Sequence, residues 1–100
     1  MLFLYFLGQD AVGQLRIDLV DDNLAEIDYS VDKNWRGKGM GTLMLQSAKF
    51  FAEKVLPEVV LKGLVLADNP ASMKSFKRAG FEREEKMLHN NKECFAYYSK

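Results

Sequence analysis

The chain has 100 residues, enough for one small domain, and 48% of them are hydrophobic, so a single core can form. Fourteen Lys and Arg residues balance fourteen Asp and Glu residues, which argues against a nucleic-acid binder, because such domains usually carry a basic excess. The single cysteine, Cys94, cannot form an internal disulfide and no Cys/His spacing typical of a metal site occurs, so we expect a reducing, cytoplasmic setting and no metal.

The first third of the chain predicts three strands joined by tight turns. Residues 2–7 are all apolar or aromatic, which is typical of a strand buried on both faces, and the run is too short to span a membrane. Residues 11–20 alternate between apolar and polar side chains, and residues 24–31 do so most regularly. Turn-forming Gly, Asp and Asn residues separate the segments, so we expect a β-meander and no membrane association.

The remaining two thirds alternate between helical and strand patterns. In residues 40–56 the apolar side chains recur at steps of three and four, which predicts a helix that ends at Pro57. Residues 59–67 predict a buried strand, and residues 81–88 and 93–99 predict a final pair of strands.

A second, shorter helix lies between the strand regions 59–67 and 81–88 and has well-marked ends. Asn69 is suited to the N-cap, Pro70 to the first helical position and Gly80 to the residue after the last turn. The resulting order, β-β-β-α-β-α-β-β, predicts one α/β (α+β) domain over residues 1–100. Its sheet is mixed and mainly antiparallel, with a central parallel strand pair from the β-α-β unit and two helices.

The segment W-R-G-K-G-M-G-T-L, residues 35–43, places glycines at alternate positions between a strand and a helix. Free N–H groups at a helix N-terminus and the helix dipole favour an anion, and glycines let the backbone approach it closely. Arg36 and Lys38 add positive charge, so a phosphate or pyrophosphate is the expected ligand. Neither the P-loop pattern nor the dinucleotide fingerprint fits the spacing, and the segment alone is also consistent with a flexible basic turn.

Two motifs in order resemble the GNAT superfamily of acetyl-CoA-dependent N-acetyltransferases. One is Arg36-x-x-Gly39-x-Gly41 after a strand, and the other is N-P-A-S opening a helix that ends R-A-G-F. The sequence of the strand L-A-E-I-D-Y-S-V resembles the corresponding strand in one branch of this superfamily. That branch acetylates ribosomal-protein N-termini or nucleotide-linked amino sugars. The resemblance implies acetyl-CoA as cofactor and a small-molecule or protein amine as acceptor.

The resemblance also implies which residues hold coenzyme A. The glycine-segment amides would bind the pyrophosphate, and the main chain at residues 29–31 would pair with the pantetheine arm where the two parallel strands splay apart. Asn69 and Ser72 would reach the same cleft, although Asn69 is also explained by N-capping and Ser72 by solvent exposure. The implied cofactor-binding residues are Tyr29, Val31, Arg36, Gly37, Lys38, Gly39, Met40, Gly41, Thr42, Asn69 and Ser72.

For catalysis the resemblance implies direct attack of a neutral amine on the thioester within a ternary complex. Glu26, on the strand beside the cleft, is the candidate base. The simpler interpretation is that Glu26 is a carboxylate that faces solvent and has no catalytic role. Many relatives carry a tyrosine, seven residues after the helix-opening Asn, that protonates the thiolate. This chain has Phe76 there, which cannot donate a proton, so Ser72 or water is the expected donor.

A complete member of the family begins with a strand and two helices that this sequence does not show. We therefore expect a fragment of a longer enzyme, a minimal member whose acceptor site is open or completed by a second subunit, or a non-catalytic coenzyme A-binding module. The apolar surface left by the missing helices favours a homodimer.

Overall fold

A six-stranded mixed sheet forms the centre of the molecule, and the computed structural model describes it over all residues 1–100. The spatial order is β1-β2-β3-β4-β6-β5, and only β3 and β4 run parallel. The strands are β1 (Leu2–Leu7), β2 (Asp10–Leu19), β3 (Leu24–Val31), β4 (Val60–Leu66), β5 (Arg83–His89) and β6 (Lys92–Tyr98). The predicted mixed, mainly antiparallel sheet with a central parallel pair is confirmed.

Two helices supply the rest of the core. Helix α1 (Met40–Val55) follows β3 after a short 3-10 turn at Lys33–Trp35, and helix α2 (Pro70–Arg78) follows β4. The side chains of the main hydrophobic cluster come from both helices and from one face of the sheet, because alternation along each strand sends every second residue to that face. Representative members of this core are Leu15, Ile27, Leu45, Leu61, Phe76 and Tyr97.

Strand β1 departs from the prediction that residues 2–7 are buried on both faces. It is an edge strand that pairs only with β2, and no helix covers its second face, because both helices pack on the face that carries the core. Phe3 packs edge-on against Phe51 of α1, with ring centroids 5.1 Å apart. On the other face Leu2, Leu4 and Phe6 are 57%, 60% and 56% exposed. An apolar run shows that β structure is favoured but does not show how many faces are covered.

The ends of α2 follow the sequence prediction closely. The Asn69 side chain accepts a hydrogen bond from the backbone N–H of Ser72 at 3.2 Å, and Pro70 begins the helix. Gly80 follows the last turn with a positive φ of 92°. The next strand was predicted from residue 81, but Phe81 is buried against α2 and pairing begins only at Arg83.

The parallel strands β3 and β4 separate soon after they begin to pair. Their pairing runs from Leu24 opposite Val60 to Glu26 opposite Lys62, and both strands continue beyond this point without pairing to each other. The second half of β3 thus has unpaired backbone groups along the edge that faces β4, which is what the predicted splay requires. The gap opens beneath the N-termini of α1 and α2 and positions the candidate site.

Candidate active site

The glycine segment forms an open turn at the start of α1. Gly39 is the N-cap residue with φ of 81°, and Gly37 also has a positive φ, of 76°, a region that residues with a Cβ rarely adopt. No side chain caps α1, so its first backbone N–H groups lack a partner within the helix. No atom outside the turn lies within 4 Å of the position that a Cβ would occupy on either glycine. The turn therefore leaves room for a ligand beside free donors.

A cavity of about 610 Å³ lies in front of this turn, between the end of β3 and the first turns of both helices. Its charged lining residues are Arg36, Lys74 and Arg78, and no acidic residue lines it. The Nε of Arg36 donates to the backbone oxygen of Val31 at 3.0 Å, which holds the side chain between the turn and β3. Three cations and the N-terminus of α1 make this cavity suited to an anion.

Most of the residues implied in cofactor binding surround this one cavity. The lining includes Tyr29, Val31, Arg36, Gly37, Gly39, Met40, Gly41, Thr42, Asn69 and Ser72. Lys38 is the exception, because its Nζ lies 5.1 Å from the ring centroid of Trp35 and the residue does not line the cavity. The cofactor-binding roles remain predictions, but the structure brings all of these residues except Lys38 together.

Helix α2 contributes residues that the sequence reasoning missed. Ala71, Lys74, Ser75 and Arg78 line the cavity together with Ser72. The four are spaced three, one and three residues apart, which places them on one side of a helix. The spacing was visible in the sequence, but it could not show that this side of α2 faces the glycine turn.

A second cavity, of about 270 Å³, occupies the gap between the splayed strands. Its only charged lining residues are Asp28 on β3 and Asp68 just before α2, and both are exposed. Apolar side chains form much of the remaining wall, including Leu64 and Leu66 of β4. This cavity is therefore acidic and partly apolar, whereas the first is basic.

The two cavities share the residues Tyr29, Asn69 and Ser72. The Tyr29 hydroxyl lies 2.9 Å from the Ser72 Oγ, which links β3 directly to α2 across the gap. The Tyr29 ring also packs edge-on against Phe76, with centroids 5.8 Å apart. The structure thus places two hydroxyl groups where a ligand in the basic cavity would meet one in the acidic cavity.

The other candidates for acid–base chemistry lie outside this junction. Glu26 is exposed on the opposite face of the sheet and lines neither cavity, although Asp28 on the same face of β3 does. Phe76 is buried in the core. Tyr97 is fully buried and Tyr98 lies on the opposite face of β6, near Arg83.

Two ionisable groups have perturbed pKa values, and both lie behind α2. Burial raises the pKa of the Tyr97 phenol, and the neighbouring Glu84 carboxylate raises it further. The pKa of Glu84 is lowered, first by the Tyr97 hydroxyl and then by Lys77, whose Nζ is 3.3 Å from the carboxylate. Neither residue lines either cavity, so this cluster joins α2 to β5 and does not belong to the site.

The chain belongs to the acetyltransferase (GNAT) family, because residues 1–81 match the model of that family. This confirms the resemblance drawn from the glycine segment and the start of α2, whereas the particular branch stays a prediction. No helix of the structure is long and apolar enough to cross a membrane.

Individual relatives are similar in sequence or in fold. The L-amino acid N-acetyltransferase AaaT of Escherichia coli (strain K12) is 27% identical over 97 residues, covering 89% of this chain and 60% of the relative. The structure of AAC(6')-Ib in complex with parmomycin and acetyl-CoA has a TM-score of 0.84 at 17% identity, covering 99% of this chain and 63% of that one.

A further structure, the spermidine/spermine N-acetyltransferase SpeG of Vibrio cholerae in complex with manganese ions, has a TM-score of 0.84 at 16% identity. It is matched over 97% of this chain and 62% of its own. This chain therefore spans about three fifths of the length of the proteins that it matches.

Proposed function

We propose that the chain is an N-acetyltransferase that moves an acetyl group from acetyl-CoA to a primary amine by direct attack in a ternary complex. The observation that carries this proposal is the junction of the two cavities: a basic one at the uncapped N-terminus of α1 and an acidic one in the strand gap, sharing Tyr29, Asn69 and Ser72. Membership of the acetyltransferase family and the acetyl-CoA complex of a similar structure support it.

The basic cavity is suited to the phosphates of coenzyme A. Its cationic side chains come from the glycine segment and α2, and the open space beside Gly37 and Gly39 lets backbone N–H groups contact a pyrophosphate. The unpaired edge of β3 beyond Glu26 offers backbone groups to an extended amide-containing arm, in the manner of an added strand. Acetyl-CoA would supply the activated acyl group at the end of that arm.

The acidic cavity is suited to a small amine that carries a positive charge. Asp28 and Asp68 would attract an ammonium group, and Leu64 and Leu66 would contact an aliphatic stem. In an acceptor with two amino groups, the carboxylates would hold one group as an ammonium. The other amino group would then be free to lose its proton and attack the thioester. We therefore place small polyamines and amino-sugar amines ahead of protein N-termini as acceptors.

Two measurements test the function. Calorimetry with acetyl-CoA and coenzyme A should show binding, and release of free thiol should follow when a panel of polyamines, aminoglycosides, amino acids and N-terminal peptides is supplied. Absence of binding at millimolar cofactor would contradict the cofactor assignment. Binding without turnover of any amine would favour the alternative, a non-catalytic coenzyme A-binding module, which the position of Glu26 outside both cavities would then explain.

We also propose that the chain forms a homodimer. Leu2, Leu4 and Phe6 expose apolar side chains on an edge strand whose outer backbone groups are unpaired. Sedimentation should detect twice the 11.4 kDa mass of the chain at micromolar concentration. A strictly monomeric mass would contradict this proposal without affecting the assignment of the active site.

A further inference from the structure

We propose that the Tyr29 hydroxyl is the proton donor to the leaving sulfur, and that Ser72 positions it. This inference rests on the proposed acetyl transfer and names a residue for one of its steps. It starts from the hydrogen-bonded pair of hydroxyls, 2.9 Å apart, at the only place where the lining of the basic cavity meets that of the acidic cavity.

The location of the pair follows from the splay of the sheet. Beyond Glu26 the edge of β3 is unpaired, and the Tyr29 side chain extends from it under α2 to reach Ser72. A Cβ on Gly41 at the start of α1 would lie 3.0 Å from the Tyr29 ring, so the ring also closes against the glycine turn. An acyl donor anchored in the basic cavity and an amine in the acidic cavity must therefore meet beside this hydroxyl.

The chemistry of the two hydroxyls decides which one donates. A phenol is acidic enough to exchange a proton with a thiolate, whereas an aliphatic hydroxyl is not. Ser72 is fixed by helix α2, because its own backbone N–H donates to the Asn69 side chain and Asn69 precedes Pro70 at the helix start. Ser72 is thus a positioning residue that holds the Tyr29 hydroxyl in the gap.

One C–N bond forms and one C–S bond breaks during the transfer. The amine nitrogen forms the new C–N bond, the C–S bond breaks with its electron pair left on sulfur, and the Tyr29 Oη gives that sulfur its proton. The proton lost by the amine passes to water. The Tyr29 oxygen regains its proton from water, so the step consumes no further proton source. No oxidant, metal or further reactant is needed.

Other tyrosines are less well placed for this step. Tyr97 is fully buried beside Glu84 and lines neither cavity, and the Phe76 ring, which packs against Tyr29, has no hydroxyl. Tyr5 makes a similar pair with Ser47, its hydroxyl 2.6 Å from the serine Oγ, but it joins β1 to α1 and lines neither cavity. Tyr5 is therefore a matched control.

The first test measures binding and does not depend on turnover. Calorimetry compares coenzyme A with desulfo-coenzyme A, which lacks the sulfur, on wild type, Tyr29→Phe and Tyr5→Phe. If the Tyr29 hydroxyl contacts the sulfur, the preference for coenzyme A falls about fivefold in Tyr29→Phe, as expected for one lost hydrogen bond. It should be unchanged in Tyr5→Phe. An unchanged preference in Tyr29→Phe would overturn the proposal.

The second test measures turnover. Tyr29→Phe should lower kcat about 100-fold with little change in the KM for acetyl-CoA, because only the proton transfer to sulfur is lost. Ser72→Ala should give an intermediate loss that Ser72→Thr restores. If wild type and Tyr29→Phe turn over the amine at the same rate, the proposed proton transfer from Tyr29 is overturned, whereas the proposed acetyl transfer stands. Wild-type binding without any turnover would overturn the proposed function together with this step.

Discussion

The ring of Phe76 on α2 rests on the backbone of β4 at Gly63, so closely that an ideal Cβ on Gly63 would lie 2.3 Å from the Phe76 Cζ. The ring is buried and stacks on Tyr97 with centroids 5.3 Å apart. It therefore has little freedom to move away. This contact fixes the height of α2 above the strand gap, and with it the distance from Ser72 to Tyr29.

Gly63→Ala should consequently lower the free energy of unfolding by about 1 to 3 kcal/mol, because the added methyl group overpacks a rigid core. Chemical denaturation would measure the loss. Phe76→Leu supplies the control, since trimming the ring makes room, and Gly63→Ala should cost clearly less in that background. Equal costs in both backgrounds would show that the Phe76 contact does not require glycine at this position.

The sequence was sufficient to predict the parts of the fold that depend on local patterns. Asn69, Pro70 and Gly80 set the bounds of α2 through backbone chemistry that does not depend on the rest of the chain. The exposure of Leu4 was not predictable, because an apolar run does not reveal whether one face of a strand or both are covered. Nor was the contact between Tyr29 and Ser72, because it joins residues 43 positions apart.

In the candidate site, too, local features were predictable from the sequence and features that depend on distant contacts were not. The glycine segment is contiguous, and its turn and free N–H groups are local properties, so the sequence indicated an anion site there. Lys38 and Arg36 are both basic residues of the glycine segment, yet only Arg36 lines the cavity, because Lys38 instead lies over the ring of Trp35. The direction of a flexible side chain on a loop depends on its packing partners, and the sequence alone does not show which partners are near.

Gly39→Asp should abolish coenzyme A binding, whereas Gly39→Asn should weaken it far less. Both side chains have the same shape, and both residue types tolerate a positive φ better than most, so the φ of 81° is a comparable burden for each. Only Asp adds a negative charge to the basic cavity. Calorimetry on the two variants isolates the effect of the negative charge on coenzyme A affinity. We expect the Kd of Gly39→Asp to exceed that of Gly39→Asn by more than about 30-fold, which corresponds to about 2 kcal/mol. Equal affinities would contradict a pyrophosphate at this turn.

Asp28→Asn should reduce kcat/KM for a polyamine about tenfold or more, because Asp28 lines the acidic cavity that we assign to the acceptor. Glu26→Gln is the matched variant on the same face of β3, two residues earlier and outside the cavity, and should change the rate by less than about threefold. Steady-state kinetics on both would test this. A larger loss in Glu26→Gln would restore Glu26 as the base, acting through water.

Glu84→Gln should destabilise the fold by about 0.5 kcal/mol at neutral pH, the range of exposed ion pairs, by removing the ion pair with Lys77. The folded-state pKa of Glu84 lies below its ordinary value of 4.5, so this stabilisation is complete above pH 4.5 and is lost as the pH falls through the folded-state pKa. The difference between wild type and variant should therefore be constant from pH 8 to about pH 5 and disappear in stronger acid.

Thermal unfolding across that pH range would measure the difference. Glu85→Gln is the control, because Glu85 lies next in sequence on the opposite face of β5 and makes no ion pair, so its substitution should leave the unfolding free energy nearly unchanged at every pH. A Glu84→Gln effect that persists unchanged at pH 3 would mean that the carboxylate charge is not its cause.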